Sequence, residues 1–190
     1  MEEFPLYSHW SYERIYRNSM LKQPDVLMFM LLFNSDFSKD VLEANFDFYE
    51  PRCIHESSLS PSVHAILASQ LGKSDLAYQF FGFATRMDLD NYNRNTKEGL
   101  HTTSISGSWM NIVYGFGGLR SDTSQLSLSP TIPAAWNSYS FKLLVKGVVI
   151  EIAVNRESVT ISCEQGACTL KLYDEVIAVG YVKVRRPLRG

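Results

Sequence analysis

"SPSVHAILASQLGKSDLAYQFFGFATRMDL", residues 60–89, reads as two helices hinged on a single glycine. Ser60 and Pro61 open the first and Gly72 closes it, the proline-first, glycine-last asymmetry of helix ends. The second runs over 73–89, with apolar side chains returning every three or four residues. Two helices joined by so short a turn lie antiparallel, the unit of an α/α bundle, solenoid or toroid. The same pattern extends upstream. "PDVLMFMLLF" (24–33) has Pro24 at a first-turn position and reads as a buried helix. "SKDVLEANFDFYE" (38–50) takes Ser38 as N-cap and carries Val41, Leu42, Asn45, Phe46 and Tyr49 on one stripe. Downstream, "SGSWMNIVYGFGG" (106–118) is a further helix stopped at Gly117-Gly118.

After residue 138 the hydrophobic period changes from helical spacing to two. Residues 139–184 hold five or six short strands, with turns at Lys146-Gly147, Asn155-Arg156-Glu157, Gln165-Gly166 and Tyr173-Asp174-Glu175. An antiparallel sheet of this kind needs another layer to cover it. The expected architecture is mainly α with a β appendage: helical hairpins over 1–120, a Pro- and Trp-pinned linker over 121–138, and a small antiparallel β-sheet domain over 139–190.

Composition bounds the function classes. A net charge of -2 advertises neither nucleic acid nor an acidic membrane surface, and the basic end "KVRRPLRG" (183–190) reads as a solvated tail. The start "MEEFPLYSHW" is acidic and contains proline, so no leader pattern is present. The longest apolar run, 26–33, is too short to span a bilayer, and the expectation is a soluble cytoplasmic protein. Cys53, Cys163 and Cys168 have no metal-ligand spacing, and no metal is expected. Cys163 and Cys168 fall on two strands read as neighbours, where a disulfide fits, although reduced apolar fillers are the preferred reading. The aromatic-rich N-terminal stretch suggests surfaces meant to be covered.

Lys22 and Gln23, just before the 24–33 helix, read by themselves as helix-end solvent chemistry, and three longer polar stretches could carry more. The connection "FYEPRCIHESSLSPSVH" (48–64) gathers Glu50, Arg52, His55, Glu56, Ser57 and Ser58, and is either a solvated loop that caps the next helix or a pocket wall. His64, on the helix that follows, reads as an ordinary packed histidine. "MDLDNYNRNTKEG" (87–99) begins like a calcium loop but puts Tyr92 and Asn93 where that loop needs an oxygen donor and glycine, so a turn network of Asx side chains is expected. "EGLHTTSISGSWMNIVYGFGG" (98–118) sets His101 and five hydroxyls at a helix start. There Ser104 or Ser106 caps the helix, or the stretch holds an anion through hydroxyls, backbone N–H groups and the helix dipole, with Ser106 and Gly107 allowing close backbone approach.

Taken in order, "KQPDV" (22–26), "FYEPRCIHESSLSPSVHA" (48–65), "ATRMDLDNYNRNT" (84–96) and "EGLHTTSISGSWMNIVYGFGG" (98–118), followed by "WNSYSFKLLVKG" (136–147), closely resemble the C-terminal part of glycoside hydrolase family 65. That family comprises the maltose, kojibiose, trehalose and nigerose phosphorylases and their hydrolytic relatives. The resemblance implies an (α/α)6 toroid, of which 1–120 would be the last portion, packed against a small C-terminal β domain. It implies phosphorolysis of an α-glucosyl disaccharide with inversion, giving β-glucose 1-phosphate, with inorganic phosphate as co-substrate and no cofactor. Inversion needs an acid on the leaving oxygen and a nucleophile on the opposite face, so phosphate needs an anion cradle where a hydrolase would keep a base.

Carried over on matching motifs, phosphate contacts fall to His101, Thr102, Thr103, Ser104, Ser106 and Gly107. Lys22 and Gln23 match the pair that hydrogen-bonds the glucosyl unit, and His55 and Glu56 line the same cavity. Cys53 stands where many members have threonine. The family's general-acid glutamate lies well upstream of the Lys-Gln pair, on a helix this sequence lacks. The resemblance therefore implies no catalytic residue in the chain itself, no phosphorolysis by the chain alone, and a need for the missing part of the ring or for self-association. Two other readings stay open: a family 65 hydrolase portion with Glu56 as the base, and a non-catalytic sugar-binding module.

Overall fold

The computed structural model describes Glu3 and residues 5–189. The chain divides into two compact units, 1–115 and 116–190. The first unit holds helices α1 (Leu6–His9), α2 (Tyr12–Tyr16), α3 (Asp25–Leu32), α4 (Lys39–Tyr49), α5 (Ser60–Gln70), α6 (Ser74–Asp90) and α7 (Thr102–Met110), the last running into a π-helical stretch at Asn111–Phe116. No helix among the described residues is long and apolar enough to cross a membrane.

Helix α5 is the core of this unit. Every residue from Ser60 to Ala68 is buried, and α3, α4, α6 and α7 all pack on it. Its end follows from Gly72, at φ +79°, which lets the Gly72 N–H reach the Ser69 carbonyl and the Lys73 N–H the Ala68 carbonyl. These two bonds satisfy orphan carbonyls in the manner of a Schellman cap and reverse the chain into α6. Helix α6 covers the predicted 73–89 helix and buries Ala77, Phe80, Ala84 and Met87 along one stripe. Helix α4 starts at its Ser38 cap, which accepts from the Val41 N–H at 3.4 Å, and buries Leu42 and Phe46. Val41 of the predicted stripe is instead 44% exposed. Pro24 precedes α3 rather than standing in its first turn, and α3 leaves Val26, Phe29, Leu32 and Phe33 exposed.

The second unit differs from the single antiparallel sheet that the sequence suggests. Strands β2 (Ser138–Val145), β3 (Val148–Asn155), β4 (Ser158–Cys163) and β7 (Val184–Pro187) form an antiparallel sheet in the order 2-3-4-7. A second sheet, in the order 1-5-6, joins β1 (Ser127–Leu128), β5 (Cys168–Leu172) and β6 (Glu175–Val179), with β1 parallel to β5. Ile150, Ile152 and Val154 on β3, Val159 and Ile161 on β4, Leu170 and Leu172 on β5, and Val179 on β6 are buried on alternate positions. Lys146-Gly147, both at positive φ, make the two-residue turn that the twist of a hairpin favours.

Three expectations are corrected here. The segment read as a linker supplies β1, whose Leu128 is fully buried. The basic end is not a free tail: β7 pairs with β4, and Arg186 forms a two-point ion pair with Glu175. Cys163 and Cys168 are not on neighbouring strands but in different sheets, as free thiols with their sulfurs 3.7 Å apart. The sequence misses this because periodicity reports strands, not which sheet each one joins.

Candidate functional site

The Lys22-Gln23 pair meets the 48–64 connection through the backbone. The Leu21 N–H donates to the Arg52 carbonyl, and the Ile54 N–H returns to the Leu21 carbonyl, at 2.8 and 2.9 Å. This bridge brings the Ser57 hydroxyl to the Gln23 side-chain oxygen at 2.8 Å. Lys22 Nζ lies over the Tyr7 and Tyr12 rings, 5.1 and 5.7 Å from their centroids. Burial, with the Glu98 and Glu56 charges, raises the Tyr7 phenol, while a hydrogen bond with Asn95 opposes that shift.

Glu56 is 3% exposed, and its two carboxylate oxygens accept the Leu6 and Tyr7 backbone N–H groups at 2.5 and 3.1 Å. A carboxylate at a helix start complements unpaired donors and the dipole. Both oxygens are thus engaged by α1, an arrangement invisible in sequence because the partners lie 50 and 49 residues away. His55 sits at φ +52°, a left-handed conformation rare outside glycine, with Nδ1 3.0 Å from the Ser60 hydroxyl.

The 87–99 stretch forms the expected Asx network. Asn91, at φ +48°, ends α6, and its Oδ1 accepts from both the N–H and the hydroxyl of Thr96. Asn93 Nδ2 donates to the His55 carbonyl at 3.4 Å, which ties this loop to the 48–64 connection. Asp90 takes the Arg86 guanidinium at two points, 2.6 Å each. Asp88 turns to His101 instead, and the hydrogen bond from the imidazole holds its carboxyl below the usual aspartate range. Asp88 lies in the stretch that begins like a calcium loop, and no local sequence signal points to its pairing with His101, 13 residues on.

At α7 neither Ser104 nor Ser106 is the cap. His101 occupies the cap position with no side-chain cap bond, so both serines lie inside the helix. Ser104 is 1% exposed and its hydroxyl donates to the Ala84 carbonyl at 2.8 Å. Gly107 faces α5: a Cβ there would come within 2.0 Å of the Ser62 hydroxyl oxygen. Thr102, Thr103 and Ser106 are exposed. The Thr102 and Ser104 N–H groups already donate to the Leu100 and His101 carbonyls. His101 Nδ1 is taken by Asp88, which leaves Nε2 as the ring's outer nitrogen.

One grouping was not legible from cysteine spacing. Cys53, His55 and His64 each place a ligand-type atom within 4.8 Å of the others. His64 is fully buried, with its Nδ1–H donating to the Ser60 carbonyl at 2.7 Å. Burial, with the neighbouring His64 ring, pushes His55 down to about 3, and burial pushes His64 down to about 4, so both rings are neutral.

Residues 1–110 match the Glycosyl hydrolase family 65 central catalytic domain, and residues 119–179 match the family's C-terminal domain. The chain is 45% identical over 165 residues to an α,α-trehalose phosphorylase of Thermoanaerobacter brockii, covering 87% of this chain and 21% of that protein. It is 43% identical over 187 residues to a maltose phosphorylase of Bacillus subtilis (strain 168), covering 97% of this chain and 25% of that one. The solved structure of a human-microbiome protein described as a kojibiose phosphorylase superposes with a TM-score of 0.92 at 48% identity, over 100% of this chain and 28% of that one. The chain therefore spans about a fifth to a quarter of the length of these curated relatives. With a central catalytic match over its first 110 residues, followed by the C-terminal domain, the chain belongs to glycoside hydrolase family 65.

Proposed function

We propose that this chain is the C-terminal portion of an inverting phosphorylase that cleaves an α-glucosyl disaccharide, such as maltose or kojibiose, with inorganic phosphate to give β-glucose 1-phosphate. Its helical unit would form the last part of an (α/α)6 ring wall, completed by chain homologous to the rest of the relatives. The observation that carries the reading is the start of α7, where exposed Thr102, Thr103 and Ser106 stand beside an imidazole fixed by Asp88. Hydroxyls and an oriented ring at a helix start suit phosphate, which brings its own charge and needs donors rather than a base. In this reading Ser104 and Gly107 support the cradle from behind, through Ala84 and Ser62.

Lys22 and Gln23 would hold the glucosyl unit, with His55 and Glu56 in the wall behind them. Glu56 supports α1 with both carboxylate oxygens, which favours the phosphorylase over a hydrolase that uses Glu56 as its base. The general acid would come from chain upstream, so the 190-residue chain alone should not turn over.

The test has two arms. Calorimetric titration of the chain with inorganic phosphate should give saturable binding that weakens in H101A. A complete enzyme should be assembled by joining the upstream part of the Bacillus maltose phosphorylase to this chain. It should release glucose 1-phosphate from maltose, kojibiose, nigerose or trehalose only when phosphate is present. Hydrolysis at a rate indifferent to phosphate would refute the phosphorylase reading. Sugar and phosphate binding with no turnover in the assembled enzyme would favour a binding module.

A further inference from the structure

Cys53, His55 and His64 converge in the core of the helical unit, with one ligand-type atom from each within 4.8 Å of the others. The Nε2 atoms of both imidazoles are buried and have no hydrogen-bond partner. On His64 the Nδ1 proton is fixed by the Ser60 carbonyl, so Nε2 is a bare lone pair in the neutral ring. A buried polar atom left unpaired costs about 1–3 kcal/mol, and here two such atoms belong to rings of one cluster with a thiol. Ser60 orients both rings, through its carbonyl to His64 and its hydroxyl to His55. Metal-binding histidines are held in this way, with the second ring nitrogen bonded to a backbone or hydroxyl oxygen. A cavity of about 100 Å³ opens against Cys53 and His64, with Gln23, Asp25 and Tyr49 also on its wall.

We infer that Cys53, His55 and His64 form a binding site for a divalent transition-metal ion of the zinc type, with the fourth position opening on the cavity beside Gln23 and Asp25. Two imidazole nitrogens and a thiolate suit zinc and are a poor set for magnesium or calcium, which take oxygen donors. Tetrahedral bond lengths put such ligand atoms about 3.3–3.8 Å apart, so binding closes the cluster by roughly 1 Å. On binding, the Cys53 thiol gives its proton to solvent and the sulfur–metal bond forms, while both histidines bind as neutral rings. The cavity holds the fourth ligand, a water molecule. The inference uses no part of the phosphorylase reading, and its test needs no turnover.

Metal-free 190-residue chain is dialysed against Zn²⁺, and separately against Co²⁺ as a spectroscopic stand-in. The expected result is about one equivalent of tightly held zinc, and a cobalt form with thiolate-to-metal charge transfer and tetrahedral d–d absorption. C53S should remove the charge-transfer band and bring bound zinc to near zero, with the far-ultraviolet circular dichroism unchanged. H55Q, at a less buried position than His64, should weaken binding by about tenfold or more. A double C163S/C168S variant should change nothing. Wild-type chain that is folded yet binds no zinc, a band that survives C53S, or a band that vanishes in C163S/C168S would each overturn the inference.

Discussion

Asp88 holds His101 at two points: Oδ2 accepts the His101 backbone N–H at 2.9 Å, and Oδ1 accepts the imidazole Nδ1–H at 2.6 Å. The side chains are only 15% and 17% exposed, so the pair is largely shielded from water. One carboxylate thereby fixes both the entry of the chain into α7 and the tautomer of the ring that starts it. With Nδ1 committed, whatever His101 offers to an anion it offers through Nε2.

D88N should weaken phosphate binding by about tenfold, the scale on which outer partners of a working imidazole act. Asparagine can still accept the backbone N–H, but its amide group no longer fixes Nδ1 as the donor. The check is calorimetry with inorganic phosphate on wild type, D88N, H101A and the double variant. H101A should remove most of the D88N effect, because Asp88 acts through the ring. Equal phosphate affinity in wild type and D88N would refute the positioning role.

The same pair sets a pH signature. The folded Asp88 carboxyl lies below its ordinary value, so its contribution is present above the unfolded aspartate value and is lost as pH falls through the folded one. Urea midpoints of wild type and D88N should therefore differ above the aspartate range and draw together as pH falls below about 4. Convergence already at neutral pH would contradict the sign.

The hydroxyls of α7 should separate into two classes. S104A deletes a buried donor to the Ala84 carbonyl and should cost about 1 kcal/mol of stability with phosphate affinity unchanged. T102A, T103A and S106A remove exposed hydroxyls, so stability should hold within about 0.5 kcal/mol while phosphate affinity falls. Denaturant unfolding and phosphate titration on the four variants check both halves. If S104A alone weakens phosphate binding, the cradle has been placed on the wrong face of the helix.

Two glycines in helices should answer alanine with opposite signs. At Gly107 a new Cβ would stand 2.0 Å from Ser62 Oγ and 2.7 Å from Ser62 Cβ, whereas at Gly82 nothing lies within 4 Å. G107A should therefore destabilise by about 1–3 kcal/mol through overpacking, and G82A should stabilise by about 0.5–1 kcal/mol through helix propensity. Pairing G107A with S62G removes both clashing atoms, and a double-mutant cycle should give a coupling above about 0.5 kcal/mol. Additive effects would mean that α5 and α7 do not touch there.

What the sequence revealed and what it hid follow from the range of each interaction. The α5–α6 hairpin was legible because its signals are local: Pro61 near the start, Gly72 at the turn, and apolar residues at helical spacing on either side. The β turns at Lys146-Gly147 and Tyr173-Asp174 were legible for the same reason. The sorting of strands into two sheets was not, since β1 pairs with a strand over forty residues away. At the site, the hydroxyl-rich helix start could be read, but not which hydroxyls face inward. That depends on how α7 is rotated against Ala84 and Ser62.

Glu56 gives the sharpest separation between a supporting carboxylate and a catalytic one. Its oxygens accept from Leu6 and Tyr7, so E56Q keeps one acceptor for α1 and E56A keeps none. A buried hydrogen bond to a charged group contributes about 1.5–3 kcal/mol, so E56A should loosen the N-terminal helices more than E56Q does. Limited proteolysis within residues 5–20 should accelerate in the order wild type, E56Q, E56A, while the β unit stays resistant. In the enzyme completed with the upstream chain, a supporting role predicts partial activity in E56Q, graded with the proteolysis. A base role predicts instead that E56Q is as inactive as E56A although α1 remains largely protected, and that outcome would restore the hydrolase reading.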